Sequence, residues 1–198
     1  MARKKNKFSF RKEYKKSWNY LKESRNFIYS IIVVFFVFGL IGFFVQPPQF
    51  ISEQILKIIE QLLEKTQGMS QVELINFIFF NNLKSSFYGM ILGVFLGIFP
   101  VILAVFNGYL LGFVANISVS EGGVFSLWRI FPHGIFELPA VFISLGLGLK
   151  FGSFIFQKNK SESFRKFLLN SLRIFLFIVL PLLIIAAIIE GTFIAISG

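Results

Sequence analysis

Residues 87–117 read FYGMILGVFLGIFPVILAVFNGYLLGFVANI, and none of these 31 side chains carries a formal charge. A membrane-spanning helix needs about 20 apolar residues, so this run is long enough for one long span or for two short ones. The choice decides the fold, because it sets the side of the membrane on which every later segment lies.

The charges that follow this run favour two helices. Five basic residues lie in and beside a later loop, namely Lys150, Lys158, Lys160, Arg165 and Lys166. One long span would place them outside the cell, although Lys and Arg tend to stay on the cytoplasmic side. A turn near Pro100 returns them to the cytoplasm and predicts two short helices, at about residues 81–98 and 101–117. These helices either both span the membrane or form a re-entrant hairpin.

Three further apolar runs are long enough to cross a membrane, at residues 27–45, about 132–156 and about 167–196. The whole chain is 55% hydrophobic and only 15% charged, which is outside the range of an ordinary soluble domain. The sequence therefore predicts an all-α, polytopic transmembrane helix bundle with about five membrane-embedded helices.

One more helix is predicted outside the lipid. Apolar residues recur at helical spacing along residues 51–66, opposite charged ones, so this segment is expected to form an amphipathic outer helix. Ser70 and Glu73 follow with the spacing of a capping box, which predicts the start of the next helix.

The N-terminal arm is strongly basic. Residues 1–26 contain ten Lys and Arg against two Glu, a net charge of +8 beside the first apolar run. The positive-inside rule places this arm in the cytoplasm, and five elements then place the C-terminus outside. Tyr14, Trp18 and Tyr20 among the bases suit a helix at the headgroups, so we expect anionic lipid rather than nucleic acid as a partner. Residues 27–198 are expected to form one transmembrane domain in the cell membrane.

Small residues recur every four positions along three segments. Helices that carry such faces approach each other backbone to backbone, within one chain or between copies in a homo-oligomer. The pattern predicts tight helix packing at Gly89, Gly93 and Gly97, at Gly108 and Gly112, and at Ala140, Ser144, Gly148 and Gly152.

Ionisable residues inside the apolar runs are expected to form a polar cluster, because a charge in hydrocarbon costs at least ~2.5 kcal/mol without a partner or water. Arg129, His133 and Glu137 are spaced by four, so they form one stripe if their helix begins before Pro132. If the helix begins at Pro132, His133 and Glu137 still share a face. Glu190 lies near the end of the last span, and the predicted topology puts all four in the outer half.

Two amides extend this cluster. Asn82 enters its helix from the same side, and Asn107 lies deeper, where we expect it to bond to another helix. The cluster has two principal interpretations, a set of buried pairs that specify helix register and a site for an ion or proton. We expect Arg173, close to the basic loop, to extend its side chain to the lipid headgroups.

Other classes of chemistry have little support. The chain has no Cys, one His and no Asp, so we expect no metal and no cofactor. No HExxH, GxSxG or Walker A pattern occurs, and we therefore expect no enzymatic activity. An intramembrane enzyme with His133 and Glu137 as acid and base remains the alternative.

The run from Phe131 to Ala140, FPHGIFELPA, resembles the signature of the stage II sporulation protein M family. Similar features are Asn81-Asn82, the glycine-rich helix after them, Asn107-Gly108 with Gly112, Gly146 to Gly152, and Ile189-Glu190-Gly191; together they cover about residues 76–195. In spore-forming bacteria the resemblance implies a membrane subunit that assembles with peptidoglycan-degrading machinery at the septum. It also implies that five cluster residues belong to the family's pattern, namely His133, Glu137, Asn82, Asn107 and Glu190.

These observations favour a scaffold or assembly subunit of a cell-envelope complex, with membrane protein partners or a second copy of the chain. A small transporter or channel is the alternative, in which the helices broken near Pro100 and the polar cluster line a pathway.

Overall fold

The structure is a computed structural model, which describes the backbone of residues 9–129 and 131–197 and the side chains of residues 9–128 and 137–196. These ranges are helical and contain no strand, so the predicted all-α class is confirmed. The helices are α1 Phe10–Glu23, α2 Arg25–Phe44, α3 Gln49–Thr66, α4 Gln71–Ile91, α5 Ile98–Gly122, α6 Phe131–Gly152, α7 Lys160–Ile174 and α8 Leu180–Ser197.

Within the described residues, four helical segments are long and apolar enough to cross a membrane. They are Arg25–Phe44, Ile98–Gly122, Glu137–Phe156 and Lys160–Ile196. The last of these is continuous, because a π turn at Phe175–Val179 joins α7 to α8 without a break. α4 is less apolar, since its sequence contains three Asn, a Lys and two Ser.

α6 lies at the centre of the bundle and packs against α2, α4, α5 and α8. One part of the core joins α4, α6 and α8 through residues such as Met90, Leu147 and Leu183. Another joins α2, α5 and α6 around Phe35 and Leu145. Burial of these apolar faces is what brings the polar residues of different helices to fixed positions.

Contacts between helices give their relative directions. Gly146 of α6 lies against Ile28 of α2, and Lys150 lies beside Ser24, so α6 and α2 are antiparallel. α5 is parallel to α2, because a side chain on Gly108 would collide with the Phe35 carbonyl group and one on Gly112 with that of Gly39.

α4 is parallel to α6 and antiparallel to α8. Gly89 lies against Leu145 and Gly97 against Leu149, whereas Gln71 Nε2 donates to Thr192 Oγ1 at 3.0 Å. We name the two ends of the bundle by their residues. The basic end holds α1, Gly97, Lys150 and α7, and the far end holds α3, Gln71, Glu121 and Thr192.

The turn between α4 and α5 is at the basic end, and it differs from the turn that the sequence predicted. α4 ends at Ile91, a short 3-10 turn covers Leu92–Val94, and the chain reverses where Leu96 and Gly97 have φ of 59° and 73°. Pro100 instead stands in the first turn of α5, where its missing N–H has no partner to lose.

The predicted bounds of this pair, 81–98 and 101–117, are therefore wrong, because α4 spans Gln71–Ile91 and α5 spans Ile98–Gly122. Both helices run the length of the bundle, from the far end to the turn at Leu96 and Gly97 and back. Hydropathy did not set these ends, because α4 starts at the capping box of Ser70 and Glu73 and the turn at Gly97 lies against Leu149 of α6.

α3 is the predicted amphipathic outer helix, and its bounds agree closely with residues 51–66. Ile55 is its buried side chain, while Phe50, Leu56 and Leu63 are exposed. The capping box is present at the next helix, where Glu73 Oε2 accepts from the Ser70 N–H at 2.8 Å. This backbone hydrogen bond holds the pKa of Glu73 below its ordinary value.

Candidate functional site

The small-residue faces lie where helices cross most closely. A side chain on Gly93 would collide with the Gly148 carbonyl group, and an added Cβ on Gly148 would lie 2.6 Å from Gly89 O. An added Cβ on Gly152 would lie 2.6 Å from Gly93 O. Contacts this short leave no room for a methyl group, so these positions hold α4 against α6 backbone to backbone.

The predicted polar cluster falls on three helices that pack on one another. Asn82 of α4, Glu137 of α6 and Glu190 of α8 are each half-buried; Asn82 lies near the middle of its helix, and Glu137 and Glu190 lie in the halves nearer the far end. Arg129 ends a 3-10 turn at Val124–Arg129 and is not part of α6. α6 begins at Phe131, so His133 and Glu137 lie four residues apart on this helix, after the turn that contains Arg129.

The side chains of Arg129 and His133 lie outside the described residues, so their part in the cluster stays a prediction. Among the side chains that the structure describes, Ser86 of α4 and Ser144 of α6 are buried with hydroxyl groups that have no hydrogen-bond partner. Ser86 is one turn from Asn82, and Ser144 lies two turns from Glu137 on one face of α6. A row of polar groups thus runs between α4 and α6.

Asn107 does not bond to another helix as the sequence led us to expect. Its Nδ2 donates to Leu103 O in its own helix at 2.8 Å, which satisfies the amide one turn back. Asn82 Oδ1 accepts a long hydrogen bond of 3.4 Å from Asn81 Nδ2. Each amide group therefore has a hydrogen-bond partner in its own helix, within four residues.

A polar face on the outside of α4 was missed by sequence reasoning. Asn81, Lys84 and Ser85 are exposed, and Lys84 stands midway in sequence between Gln71 at the far end and Gly97 at the basic end. The adjacent Tyr88 is also exposed. A lone Lys flanked by Asn and Ser in a helix that lies beside apolar spans was the signal in the sequence.

A second missed feature is a buried network at the basic end. Lys150 is only 7% exposed, and its Nζ lies 3.8 Å from the centroid of the Tyr20 ring. Nζ also donates to Ser24 Oγ at 3.1 Å and lies 4.0 Å from Glu23 Oε2. Sequence reasoning counted Lys150 among the loop bases, although its place within an apolar run was a sign of burial.

Arg173 also has a different partner from the one expected. Its Nε lies 2.6 Å from Glu13 Oε2 in an ion pair, and Glu13 Oε1 accepts from Lys16 Nζ at 2.7 Å. The sequence suggested no protein partner for Arg173, and α1 supplies one because it folds back and brings a carboxylate to it. The hydrogen bond from Lys16, with the charge of Arg173, holds the pKa of Glu13 below its ordinary value.

The same docking buries one of the three aromatic residues of α1 that the sequence predicted at the headgroups. Tyr20 is part of the core, whereas Tyr14 and Trp18 are exposed as a headgroup helix requires. Burial raises the pKa of the Tyr20 phenol, so the ring beneath Lys150 stays neutral.

Apolar helices of spanning length, packed through glycine faces around a central helix, define a polytopic α-helical membrane protein. The family model of Stage II sporulation protein M matches residues 31–194, and the chain therefore belongs to this family. The match begins well before the resemblance at residues 76–195, so it includes most of α2 and all of α3.

An uncharacterized protein of Methanocaldococcus jannaschii is 28% identical to this chain over 172 residues, which cover 84% of this chain and 76% of that protein. No solved structure matches the chain.

Proposed function

We propose that the chain is a membrane scaffold, an assembly subunit of a cell-envelope complex, which binds a partner helix along the outside of α4. The supporting observation is the exposed face of Asn81, Lys84 and Ser85, half-way along a helix that runs between the two ends of the bundle. Lipid tails offer these groups no hydrogen bonds, and a Lys at the bilayer centre is costly. A protein partner with acceptor groups removes that cost.

The topology proposed with this function places the basic end in the cytoplasm and the C-terminus outside. Support comes from the charges, since α1, Lys158, Lys160 and Arg165 all lie at the basic end. α3 then lies on the outer face, where its exposed Phe50, Leu56 and Leu63 offer an apolar surface to a lipid or a partner. The proposal assigns the chain no catalytic step.

The experiment compares Lys84→Leu/Ser85→Ala with a matched double variant, Val33→Leu/Val37→Leu, on the exposed apolar face of α2. Both variants keep the core intact. If α4 binds a partner, complexes extracted from native membranes in mild detergent lose their larger species in the α4 variant only. The melting temperature of the purified α4 variant stays at or above the wild-type value.

The size of the extracted complexes shows whether the outer face of α4 has a role in assembly. Complexes of unchanged size in the α4 variant overturn the proposal, because the polar face then has no assembly role. If the larger species is lost, differently tagged copies expressed together show whether the partner is a second copy, which co-purifies with the first, or another protein.

A small transporter or channel is the second candidate, and the buried hydroxyl groups of Ser86 and Ser144 favour it. Polar groups in such positions are satisfied by bound water or an ion when a pathway passes them. The reversal at Gly97 does not add support, because it lies at the end of the bundle and not in its middle.

His133→Ala separates the two candidates. A scaffold predicts damage to assembly or stability with no flux in proteoliposomes from either protein. A transporter predicts a normally assembled variant that has lost the ion or proton flux of the wild type.

A further inference from the structure

The outer face of α1 forms a groove with basic and aromatic walls. Arg11, Tyr14, Lys15 and Trp18 line it, and its volume is about 380 Å³. All four residues lie on one face of the same helix, since they are spaced by three or four positions. A further cation is close by, since Lys22 Nζ lies 5.9 Å from the centre of the Trp18 ring.

The opposite face of α1 fixes the groove to the bundle. Ser17 and Tyr20 are buried, and the Glu13 carboxylate holds Arg173 of α7 at 2.6 Å. α1 is therefore docked and does not swing as a tether. A docked helix presents its cations at a constant position relative to the membrane-spanning segments.

The contacts of α1 place the groove beside the basic end of an apolar span. The Phe10 ring packs edge-on against Phe177 of the π turn, with 6.4 Å between centroids. Phe177 belongs to the apolar span Lys160–Ile196, while the Tyr20 ring at the other end of α1 lies 6.5 Å from the Phe167 ring of α7. α1 therefore lies antiparallel along α7, with its exposed cations next to the part of this span nearest the basic end.

We propose that this groove binds the phosphate headgroup of an anionic phospholipid. Charge complementarity selects this ligand, because Arg11 and Lys15 supply two cations and the groove has no acidic wall. A guanidinium group bonds phosphate oxygens in pairs, and Lys adds a point charge. Tyr14 and Trp18 suit the glycerol region, where amphipathic rings are favoured.

The test uses the full chain in nanodiscs that contain phosphatidylcholine and phosphatidylglycerol, with bromine on the acyl chains of one lipid or of the other. Trp128→Phe leaves Trp18 as the fluorophore, since the chain has two Trp. Bound anionic lipid makes brominated phosphatidylglycerol the stronger quencher at equal mole fraction. Arg11→Gln/Lys15→Gln is expected to lower this preference roughly tenfold, because each cation near a membrane surface contributes to anionic lipid binding.

A matched control removes two charges elsewhere at the same end. Lys158→Gln/Lys160→Gln changes two exposed bases outside the groove and is expected to keep the preference. Equal loss in both double variants overturns the proposal in favour of diffuse charge, and equal quenching by both lipids in the wild type overturns it altogether.

A final measurement distinguishes binding of lipid phosphate from binding of soluble phosphate. In discs of phosphatidylcholine alone, inorganic phosphate at millimolar concentration is expected to leave Trp18 emission unchanged. A saturable change that Arg11→Gln/Lys15→Gln abolishes would show a site for soluble phosphate and overturn the assignment to lipid.

Discussion

Lys150 joins three helices at the basic end through one ammonium group. A buried cation over an aromatic ring contributes about 2 kcal/mol, and a hydrogen bond such as the one to Ser24 about 1 kcal/mol. Lys150→Ala removes both contacts and leaves a cavity, so it is expected to destabilise the protein by about 2 kcal/mol or more. Thermal unfolding in a fixed detergent measures the loss.

Two comparison variants show whether the ammonium group is responsible. Lys150→Met keeps most of the side-chain volume and avoids burying a charge, so its loss should be smaller. Lys158→Ala changes an exposed side chain and should stay within about 0.5 kcal/mol of wild type. Equal melting temperatures for Lys150→Ala and Lys158→Ala would contradict the structural role of the network.

Glu13 gives the docking of α1 a dependence on pH. Its pKa is below the ordinary value of 4.5, first because Lys16 donates to it and also because Arg173 is close. A lowered carboxyl pKa contributes stability that is fully present above about pH 4.5 and is lost as the pH falls through the folded-state pKa. We therefore expect α1 to be docked at pH 7 and to loosen in acid.

Spin labels at Lys12→Cys and Lys158→Cys report this docking as a distance distribution. At pH 7, Glu13→Gln should broaden the distribution as acid does in the wild type, whereas Glu162→Gln on the exposed start of α7 should not. A narrow distribution in Glu13→Gln would mean that other contacts dock α1.

At the scale of elements, the crossing of α4 and α6 depends on glycine. An alanine methyl group at Gly148 would lie 2.6 Å from Gly89 O and 3.0 Å from Met90 Cα, so the helices must separate. Overpacking of this kind costs about 1–3 kcal/mol. Gly148→Ala should lower the melting temperature, and Gly39→Ala, where the nearest atom is 3.4 Å away, should change it little.

The position of the turn between α4 and α5 is set by packing and not by the proline in this run. Pro100 was the obvious breaker in an uncharged run, yet the chain reverses earlier, at Leu96 and Gly97. An added Cβ on Gly97 would lie 2.8 Å from Leu149 Cδ1, so this turn requires a residue that tolerates both positive φ and close approach. The close approach of α6 is what requires glycine at this position, and a hydropathy pattern contains no information about that contact.

At the scale of the molecule, the two ends of the bundle should face different compartments. The chain has no Cys, so single Cys residues can be placed at Lys57, Glu121 and Lys160 without a background. Impermeant thiol reagents added outside cells should label Lys57→Cys and Glu121→Cys at the far end. Lys160→Cys at the basic end should react only after the membrane is opened.

Labelling of Lys160→Cys from outside would mean that the basic end faces the outside of the cell, opposite to the proposed orientation. The relative placement of the three positions would remain, because it follows from contacts such as Gln71 with Thr192 and Lys150 with Ser24.

The amino-acid sequence by itself determined the helical membrane class, the amphipathic helix α3, the capping box at Ser70 and the family. Each of these depends on local patterns: runs of apolar residues, the helical period, one side chain bonding a nearby N–H, and a contiguous motif. The small-residue faces also appear in the sequence, since they repeat every four residues.

Only the tertiary structure decided which charges are buried and which are exposed. Lys150 and Arg173 looked like loop and headgroup residues until α1 folded back over them. The partners are Tyr20 and Glu13, more than a hundred residues away in sequence. Because a charge in a membrane protein is stabilised by whichever group packing brings to it, no local pattern could identify these pairs.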